Sequence, residues 1–324
     1  MLTYTFSCFY IRSTELTSDE RMIGCICKRF QDWMPKKAEI DSDDNTLLVT
    51  KCVHEMQEVR VMESITSFAR EDDNGKYNAF YLMNLNIAPV EATALFSFLG
   101  YIKNLHVLHI AGCRMEHFAL RELAKLLQKD NEITNLQIVR SRISDDGAKH
   151  IFDALTNKNC EITQLSIMDD ILTAESAKYL SDTLKSDNCK LSGLDISNNE
   201  LADIGANHLS EALKSDNCKI TELCISYNEI THAGAKYLGD ALKSDECKLI
   251  ALYLNGNEMK DGGAKYFSDA LKSDNCKLVK LDISENEVTD VGAKYLSDAL
   301  KSDNCKLTEL NMSGNKLTDE VQSI

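Results

Sequence analysis

The chain has 324 residues, of which 44% are hydrophobic and 27% are charged, and its formal net charge at pH 7 is −15. This acidity argues against binding to nucleic acid or to an anionic membrane surface, because both reward clustered lysine and arginine. A protein partner, neutral or with a basic patch, fits the charge better. No stretch of the sequence approaches the roughly 20 apolar residues that cross a bilayer, and the N-terminus lacks a basic leader, so we expect a cytoplasmic protein.

Residues 1–76 lack the repeat that fills the rest of the chain, and we predict that they form a small helical N-terminal cap. Two partly apolar segments, Leu2–Ile11 and Leu47–Gln57, are interpreted as helices of this cap. A zinc site is not expected there, because Cys25 and Cys27 are separated by one residue and no spaced pair of histidines lies nearby.

Residues 77–324 are predicted to form about nine units of 28 or 29 residues, the last of them truncated. A cysteine recurs every 29 residues in the clearest units, two residues before a leucine or isoleucine that we take as the start of a strand. These thiols are interpreted as reduced, buried and structural rather than as a disulfide framework. The six recurring cysteines are Cys160, Cys189, Cys218, Cys247, Cys276 and Cys305. The predicted strand starts are Tyr77, Leu105, Ile133, Ile162, Leu191, Ile220, Leu249, Leu278 and Leu307.

The first half of each unit has the pattern of a strand followed by a turn. In one unit Ile220, Leu223 and Ile225 are the apolar side chains expected to point inward, and Asn228 follows at the turn. Asparagine recurs at this turn in several units, where its amide can bond backbone groups exposed as the chain leaves the strand. We therefore predict a ladder of asparagines that is structural rather than ligand-binding.

The second half of each unit has helical spacing. Ala206, Leu209, Ala212 and Leu213 lie at i, i+3, i+6 and i+7, which places them on the one face that would cover the sheet. An aspartate near the start of the helix, such as Asp203, is expected to cap its own helix. Paired carboxylates at turns, such as Asp169 and Asp170, are attributed to capping and solvation.

Strands of successive units lie about 4.8 Å apart, whereas helices need about 10 Å, so the stack must bend with its strands on the inside. A period near 29 residues with this pattern is typical of leucine-rich repeats. The expected fold class is thus α/β, a curved leucine-rich-repeat solenoid in which nine strands line a concave wall roughly 40 Å long.

The string from Leu191 to Leu213, L-x-x-L-x-I-x-x-N-x-L-x-D-x-G-A-x-x-L-x-x-A-L, resembles the ribonuclease-inhibitor class of leucine-rich repeat, which forms a horseshoe-shaped arc. Leu2–Ile11 and Leu47–Gln57 are similar to two segments that precede the repeats in NACHT-containing innate immune receptors of the NLR family. The alternative is a pair of unrelated amphipathic helices that close the end of the solenoid.

The resemblance implies a non-catalytic module that senses a ligand or binds a protein through the concave sheet of an NLR-like receptor. No G-x-x-x-x-G-K-[ST] loop occurs in the sequence, so no nucleotide is expected to bind by that route. The chain is expected to be a piece of a larger receptor or a shortened relative. The alternative from another class is a free-standing regulator of an enzyme, such as a nuclease inhibitor or a small-GTPase-activating protein, and a third is a cap for actin filament ends.

Side chains on the concave strand face vary between units while the helices repeat almost verbatim, so we expect the partner to bind there. Tyr253 is the favoured anchor, and four acids outnumber one lysine on this face, which predicts a partner with a basic patch. A solvated face without a partner is the alternative. The predicted protein-binding residues are Gln164, Ser166, Asp195, Glu222, Cys224, Tyr253, Lys280, Asp282, Glu309 and Asn311.

Catalysis, a metal and a cofactor are not expected. The seven histidines are scattered, and no serine or cysteine lies in a nucleophile elbow. An active site would instead bring convergent polar groups into one pocket.

Overall fold

The computed structural model of the protein describes residues 78–102 and 104–318. Strands and helices alternate along the chain, as the 29-residue pattern predicts. The strands are β1 (Asn78–Met83), β2 (Asn86–Ile87), β3 (Leu105–Ala111), β4 (Arg114–Met115), β5 (Asn135–Val139), β6 (Gln164–Met168), β7 (Gly193–Asp195), β8 (Glu222–Cys224), β9 (Ala251–Tyr253), β10 (Lys280–Asp282) and β11 (Glu309–Asn311). The helices are α1 (Pro89–Leu99), α2 (His117–Leu127), α3 (Asp145–Leu155), α4 (Ala174–Leu184), α5 (Ala202–Leu213), α6 (His232–Leu242), α7 (Lys260–Leu271) and α8 (Asp290–Leu300).

Nine strands form one parallel sheet in the order β1-β3-β5-β6-β7-β8-β9-β10-β11, and each helix packs against the helix of the next unit. From β5 onward, paired strands are in register one unit apart, so that Leu194 on β7 lies opposite Leu223 on β8. Sheet and helices are thus two layers of one curved α/β solenoid, the predicted fold class. The predicted helical cap, residues 1–76, lies outside the described residues.

The core runs along the axis between the sheet and the helices. The four residues of the predicted helix face in α5 are all buried: Ala206, Leu209, Ala212 and Leu213. On the strand side, Leu223 and Ile225 are also buried. Seven of the strands begin two residues later than their predicted starts, as β8 does at Glu222, because Ile220 belongs to the buried segment that leads into the strand.

The recurring cysteines occupy equivalent places in this core. Five of the six are buried and Cys305, in the last unit, is half-buried; all six are free cysteines. Each backbone N–H closes the same turn, as where Cys218 donates to the carbonyl of Ser215 at 3.1 Å. Burial raises the pKa of the Cys218 thiol, which keeps it protonated at neutral pH. The predicted structural role of these thiols is confirmed.

Asparagines at the carboxyl end of the strands connect one unit to the next. Nδ2 of Asn257 donates to the carbonyls of Ile225, 3.1 Å away in the preceding unit, and Leu254, 2.9 Å away in its own unit. Its Oδ1 accepts from the backbone N–H groups of Asn228 and Ile230 at 3.0 and 2.9 Å. The predicted asparagine ladder is therefore present, and it satisfies buried backbone groups that no neighbouring strand reaches.

Asp170 takes the place of asparagine in one rung of this ladder. Its Oδ1 accepts from the N–H groups of Ser141 and Ile143, both at 2.9 Å, but its buried Oδ2 has no hydrogen-bond partner. Burial raises the pKa of this carboxyl to about 6, against the opposing effect of the two N–H groups. The expectation that solvation accounts for Asp170 is wrong, because the 29-residue register puts it at a buried position.

The aspartate near each helix start also acts between units. Oδ1 of Asp203, in the first turn of α5, accepts from the backbone N–H groups of Thr231 and Gly234, both at 2.8 Å. Its Oδ2 accepts from the Thr231 hydroxyl at 2.7 Å. Thr231 is the N-cap of α6, so Asp203 caps the following helix rather than its own, which corrects the prediction. Asp261 makes the same three contacts with Thr289 and Gly292.

These contacts alternate along part of the stack. At the aspartate position, α4 has Ala174 and α6 has His232. In the units that follow these two, the threonine position is occupied by Ala202 and Lys260, respectively. Both of these residues adopt left-handed backbone conformations, with φ of 51° and 53°. A carboxylate in one unit is thus matched by a threonine in the next, and this part of the stack repeats in pairs of units.

The substitution Asp170→Asn is expected to raise the free energy of unfolding by about 2 kcal/mol at pH 8, because it removes a buried charge whose pKa lies about two units above its usual value. A pKa that is higher in the folded state means that folding binds a proton, so the wild type gains stability as pH falls from 8 through 6 toward 4. The advantage of the variant should therefore shrink at pH 5, measured by urea unfolding at both pH values. An equal advantage at pH 5 and pH 8 would contradict the assignment.

Replacing Asp203 by alanine is expected to cost about 1–2 kcal/mol, because it leaves the N-cap donors of α6 without their acceptor. Asp216→Ala is the matched control, since that carboxylate is exposed in a loop. Thermal unfolding of both variants followed by circular dichroism tests this, and equal melting temperatures would exclude the capping role.

Candidate functional site

The ten predicted binding residues lie on six adjacent strands, β6 to β11. Residues at paired positions of neighbouring strands form two rows that run across the sheet, and all ten belong to these rows. None of the ten is fully buried, whereas the leucine between the two rows on each of β6 to β10 is. The first row is Gln164, Gly193, Glu222, Ala251, Lys280 and Glu309. The second row is Ser166, Asp195, Cys224, Tyr253, Asp282 and Asn311.

Six of the ten residues line one hollow of about 420 Å³ over β6 to β9. They are Gln164, Ser166, Asp195, Glu222, Cys224 and Tyr253. The other four, Lys280, Asp282, Glu309 and Asn311, lie beyond it on β10 and β11. The structure thus divides the predicted surface into a hollow and a flatter flank.

A chain of polar contacts runs along the base of the hollow. Asp195 Oδ1 accepts from the backbone N–H of Ser197 at 3.0 Å and from its hydroxyl at 2.6 Å. The Ser197 hydroxyl in turn lies 2.9 Å from Cys224 Sγ, which is 3.4 Å from the hydroxyl of Ser226. Side chains held at both ends in this way lose little freedom when a partner binds.

Burial and neighbouring carboxylates keep the thiol and the phenol of the hollow in their neutral forms. Burial, reinforced by Asp195, raises the pKa of the Cys224 thiol, so it stays protonated and is a poor nucleophile. Burial and then the nearby Glu222 carboxylate raise the pKa of the Tyr253 phenol. The hollow consequently has negative charge from its carboxylates and presents a neutral aromatic ring beside them.

Charges on the flank are largely paired. Lys280 Nζ lies 2.8 Å from Glu309 Oε1, an exposed ion pair that neutralises the single lysine of the predicted set. Asn311 donates from Nδ2 to Asp282 Oδ2 at 2.9 Å, and Asp282 Oδ1 accepts from Ser284. The excess of acid that the sequence indicated is therefore concentrated in and beside the hollow.

Sequence reasoning missed two residues that shape the hollow. Gly193 shapes it, because the amide of Gln164 lies in the space that a side chain at position 193 would fill. Ser197 holds both Asp195 and Cys224 in place. A comparison of the first row from unit to unit could have revealed Gly193, whereas the contacts of Ser197 join two units and leave no signal in the sequence of one.

Within residues 78–102 and 104–318, no three histidine, cysteine, aspartate or glutamate side chains are grouped so as to hold a metal ion. Among the helices that the structure describes, none is both long and apolar enough to span a bilayer.

A family model described as leucine-rich repeat matches residues 216–239, 274–297 and 303–320. The chain therefore contains leucine-rich repeats, as its period predicts. The comparison with curated proteins found no match to this chain.

Three solved structures illustrate the likeness of fold. An internalin (InlF) from Listeria monocytogenes is 16% identical, with a TM-score of 0.41, over 79% of this chain and 71% of its own. A TLR13–ssRNA13 complex is 14% identical, with a TM-score of 0.46, over 82% of this chain but only 35% of that chain. A complex of Rad7 and Elc1 in yeast is 12% identical, with a TM-score of 0.47, over 99% and 88%. At these scores the likeness carries no argument about function.

Glu222→Gln is expected to lower the pKa of Tyr253, because an adjacent carboxylate disfavours the phenolate. The titration can be followed by NMR with ¹³C-labelled tyrosine, with the signal assigned through Tyr253→Phe. Asp269→Asn, on an exposed position of α7, is the control and should leave the titration unchanged. A Tyr253 pKa that does not respond to Glu222→Gln would show that the two side chains are not neighbours.

Proposed function

We propose that this protein is a non-catalytic binding module that takes a protein partner with a basic patch onto its concave sheet, centred on the hollow over β6 to β9. The observation that carries the proposal is the hollow itself: six residues chosen from sequence variability line one space of about 420 Å³. Repeat solenoids characteristically use such concave walls for binding.

A protein is favoured over a small molecule by the chemistry of this wall. Pockets for small ligands are mostly apolar, with a few polar groups that fix orientation. Here the exposed side chains are carboxylates, an amide, hydroxyls and one tyrosine, and they continue across the flank of β10 and β11. This mixture of an aromatic anchor and a polar rim is typical of protein interfaces.

The finer form of the proposal is that the module is the sensing arc of an NLR-like innate immune receptor. Its support is the resemblance of Leu2–Ile11 and Leu47–Gln57 to segments that precede the repeats in that family. Binding would take place in the cytoplasm, where the free thiols of the core remain reduced. No nucleotide takes part in the proposal.

The test compares two triple variants in affinity purification from the native cell followed by mass spectrometry. The concave variant is Glu222→Ala, Tyr253→Ala and Asp282→Ala. The control variant, Tyr237→Ala, Asp240→Ala and Asp269→Ala, removes one tyrosine and two acids from the helical side, where all three are exposed. Partners retained by the control should be lost from the concave variant, with an affinity at least about tenfold weaker for the purified partner.

Equal recovery of every partner by both variants would exclude the concave sheet as the binding surface. The identity of the partner separates the finer alternatives. A receptor chain with a nucleotide-binding domain supports the sensing role, whereas a nuclease or a small GTPase supports the enzyme regulator.

A further inference from the structure

Glu222 has small neighbours on both sides in the first row of the concave face. Its register partners are Gly193 on β7 and Ala251 on β9, which have no side chain or a single methyl group. Elsewhere in the row, on β6, β10 and β11, the residues are long and polar. The Glu222 carboxylate makes no hydrogen bond or ion pair with the described residues, and its electrostatic neighbours are the Tyr253 phenol and the Lys280 ammonium.

Gln164 forms the wall of the hollow on the β6 side. Its amide end lies over Gly193, in the space that any side chain at position 193 would occupy, and Oε1 is its nearest atom to that position. Nε2 also lies over Gly193 and donates to the Ser192 hydroxyl at 3.4 Å. Gln164 thus covers Gly193 with both polar atoms of its amide.

Acceptors and negative charge outnumber donors in this space. Ser197 satisfies Oδ1 of Asp195 and leaves Oδ2 without a hydrogen bond from the described residues. Lys280, the cation of the first row, pairs with Glu309 at 2.8 Å and does not line the hollow, although it lies within electrostatic reach of Tyr253 and Glu222. Three polar groups therefore line the hollow: the Gln164 amide and the carboxylates of Asp195 and Glu222. A ligand that fits must donate hydrogen bonds and be positively charged.

Resting on the proposed function, we propose that the hollow is a socket for one arginine side chain of the protein partner. The guanidinium lies between the Asp195 and Glu222 carboxylates and the amide oxygen of Gln164, and the side chain packs against the Tyr253 ring. Arginine fits better than lysine because its planar group has five N–H donors and stacks on aromatic rings, whereas lysine presents a compact, strongly hydrated charge.

The probe is N-acetyl-arginine amide, titrated into the full chain while the backbone amide signals of Gly193 and Ala251 are followed by NMR. We expect saturable shifts at millimolar concentrations. N-acetyl-citrulline amide has nearly the same shape without the charge, and we expect it to bind at least about tenfold more weakly, which corresponds to about 1.4 kcal/mol. Equal binding of the two probes would overturn the proposal.

Gly193→Gln fills the socket and should abolish the shifts at Ala251. The fold should tolerate it, because the equivalent positions on β6 and β8 hold Gln164 and Glu222 and the displaced atoms belong to a flexible side chain. Asp195→Asn removes charge while keeping an acceptor for Ser197, and it should weaken binding about tenfold. Asp269→Asn, on the exposed helical side, should leave binding unchanged. Undiminished affinity in both Gly193→Gln and Asp195→Asn would exclude the socket.

The two proposals fail in different ways. If the concave triple variant loses its protein partner but arginine amide does not bind, the docking surface stands and the arginine socket is wrong. If arginine amide binds with the expected dependence on Gly193 but the protein partner ignores the concave variant, the socket exists and the proposed docking surface is wrong.

Discussion

The buried amide at the end of each strand is the interaction on which the solenoid depends. Where the chain leaves β9, Asn257 bonds two carbonyls and two N–H groups, and three of these four bonds join its unit to the preceding one. The backbone there cannot be satisfied by the sheet, because the chain turns away through a residue of positive φ such as Gly256. An unsatisfied buried polar group costs about 1–3 kcal/mol, which explains why asparagine recurs at this position in the five units from Asn199 to Asn315. The period of the sequence follows from this requirement.

A second consequence is that the residues that join the units are chemically separate from those on the concave face. The groups that hold neighbouring units together lie at the ends of the strands and helices, as for Asn257 and Asp203. The exposed side chains in the middle of the strands make few contacts that the stack requires, so they can change without loss of stability. This separation explains why repeats that are nearly identical on the helical side can differ at Tyr253, Asp195 and Glu222. A rigid wall with freely variable side chains is well suited to recognising a partner without large ordering costs.

The sequence alone predicts what depends on one unit. Strand and helix faces, the buried thiols and the asparagine ladder all recur at a fixed spacing, and the structure confirms them in the described residues. Features that join two units were missed. Asp203 was expected to cap its own helix, since local spacing gives no sign of Thr231 lying against it 28 residues later. The hollow was missed for a related reason: its walls come from four strands, and its shape depends on Gly193, whose missing side chain makes room for the amide of Gln164.

The distribution of charge along the concave face indicates where on that face a partner would bind, which the net charge alone does not. Arg140, which follows β5, lies 3.1 Å from Asp169, which follows β6. Lys280 on β10 lies 2.8 Å from Glu309 on β11, so an acid is paired with a base on each side of the hollow. Between them, Asp195 and Glu222 have no ion pair within the described residues. Paired surface charges contribute little to binding. The attraction between an unpaired carboxylate and a cation increases when a partner excludes water, as it can beside the half-buried ring. The proposed basic partner would therefore be drawn to the centre of the wall, and its most buried cation should meet β7 and β8.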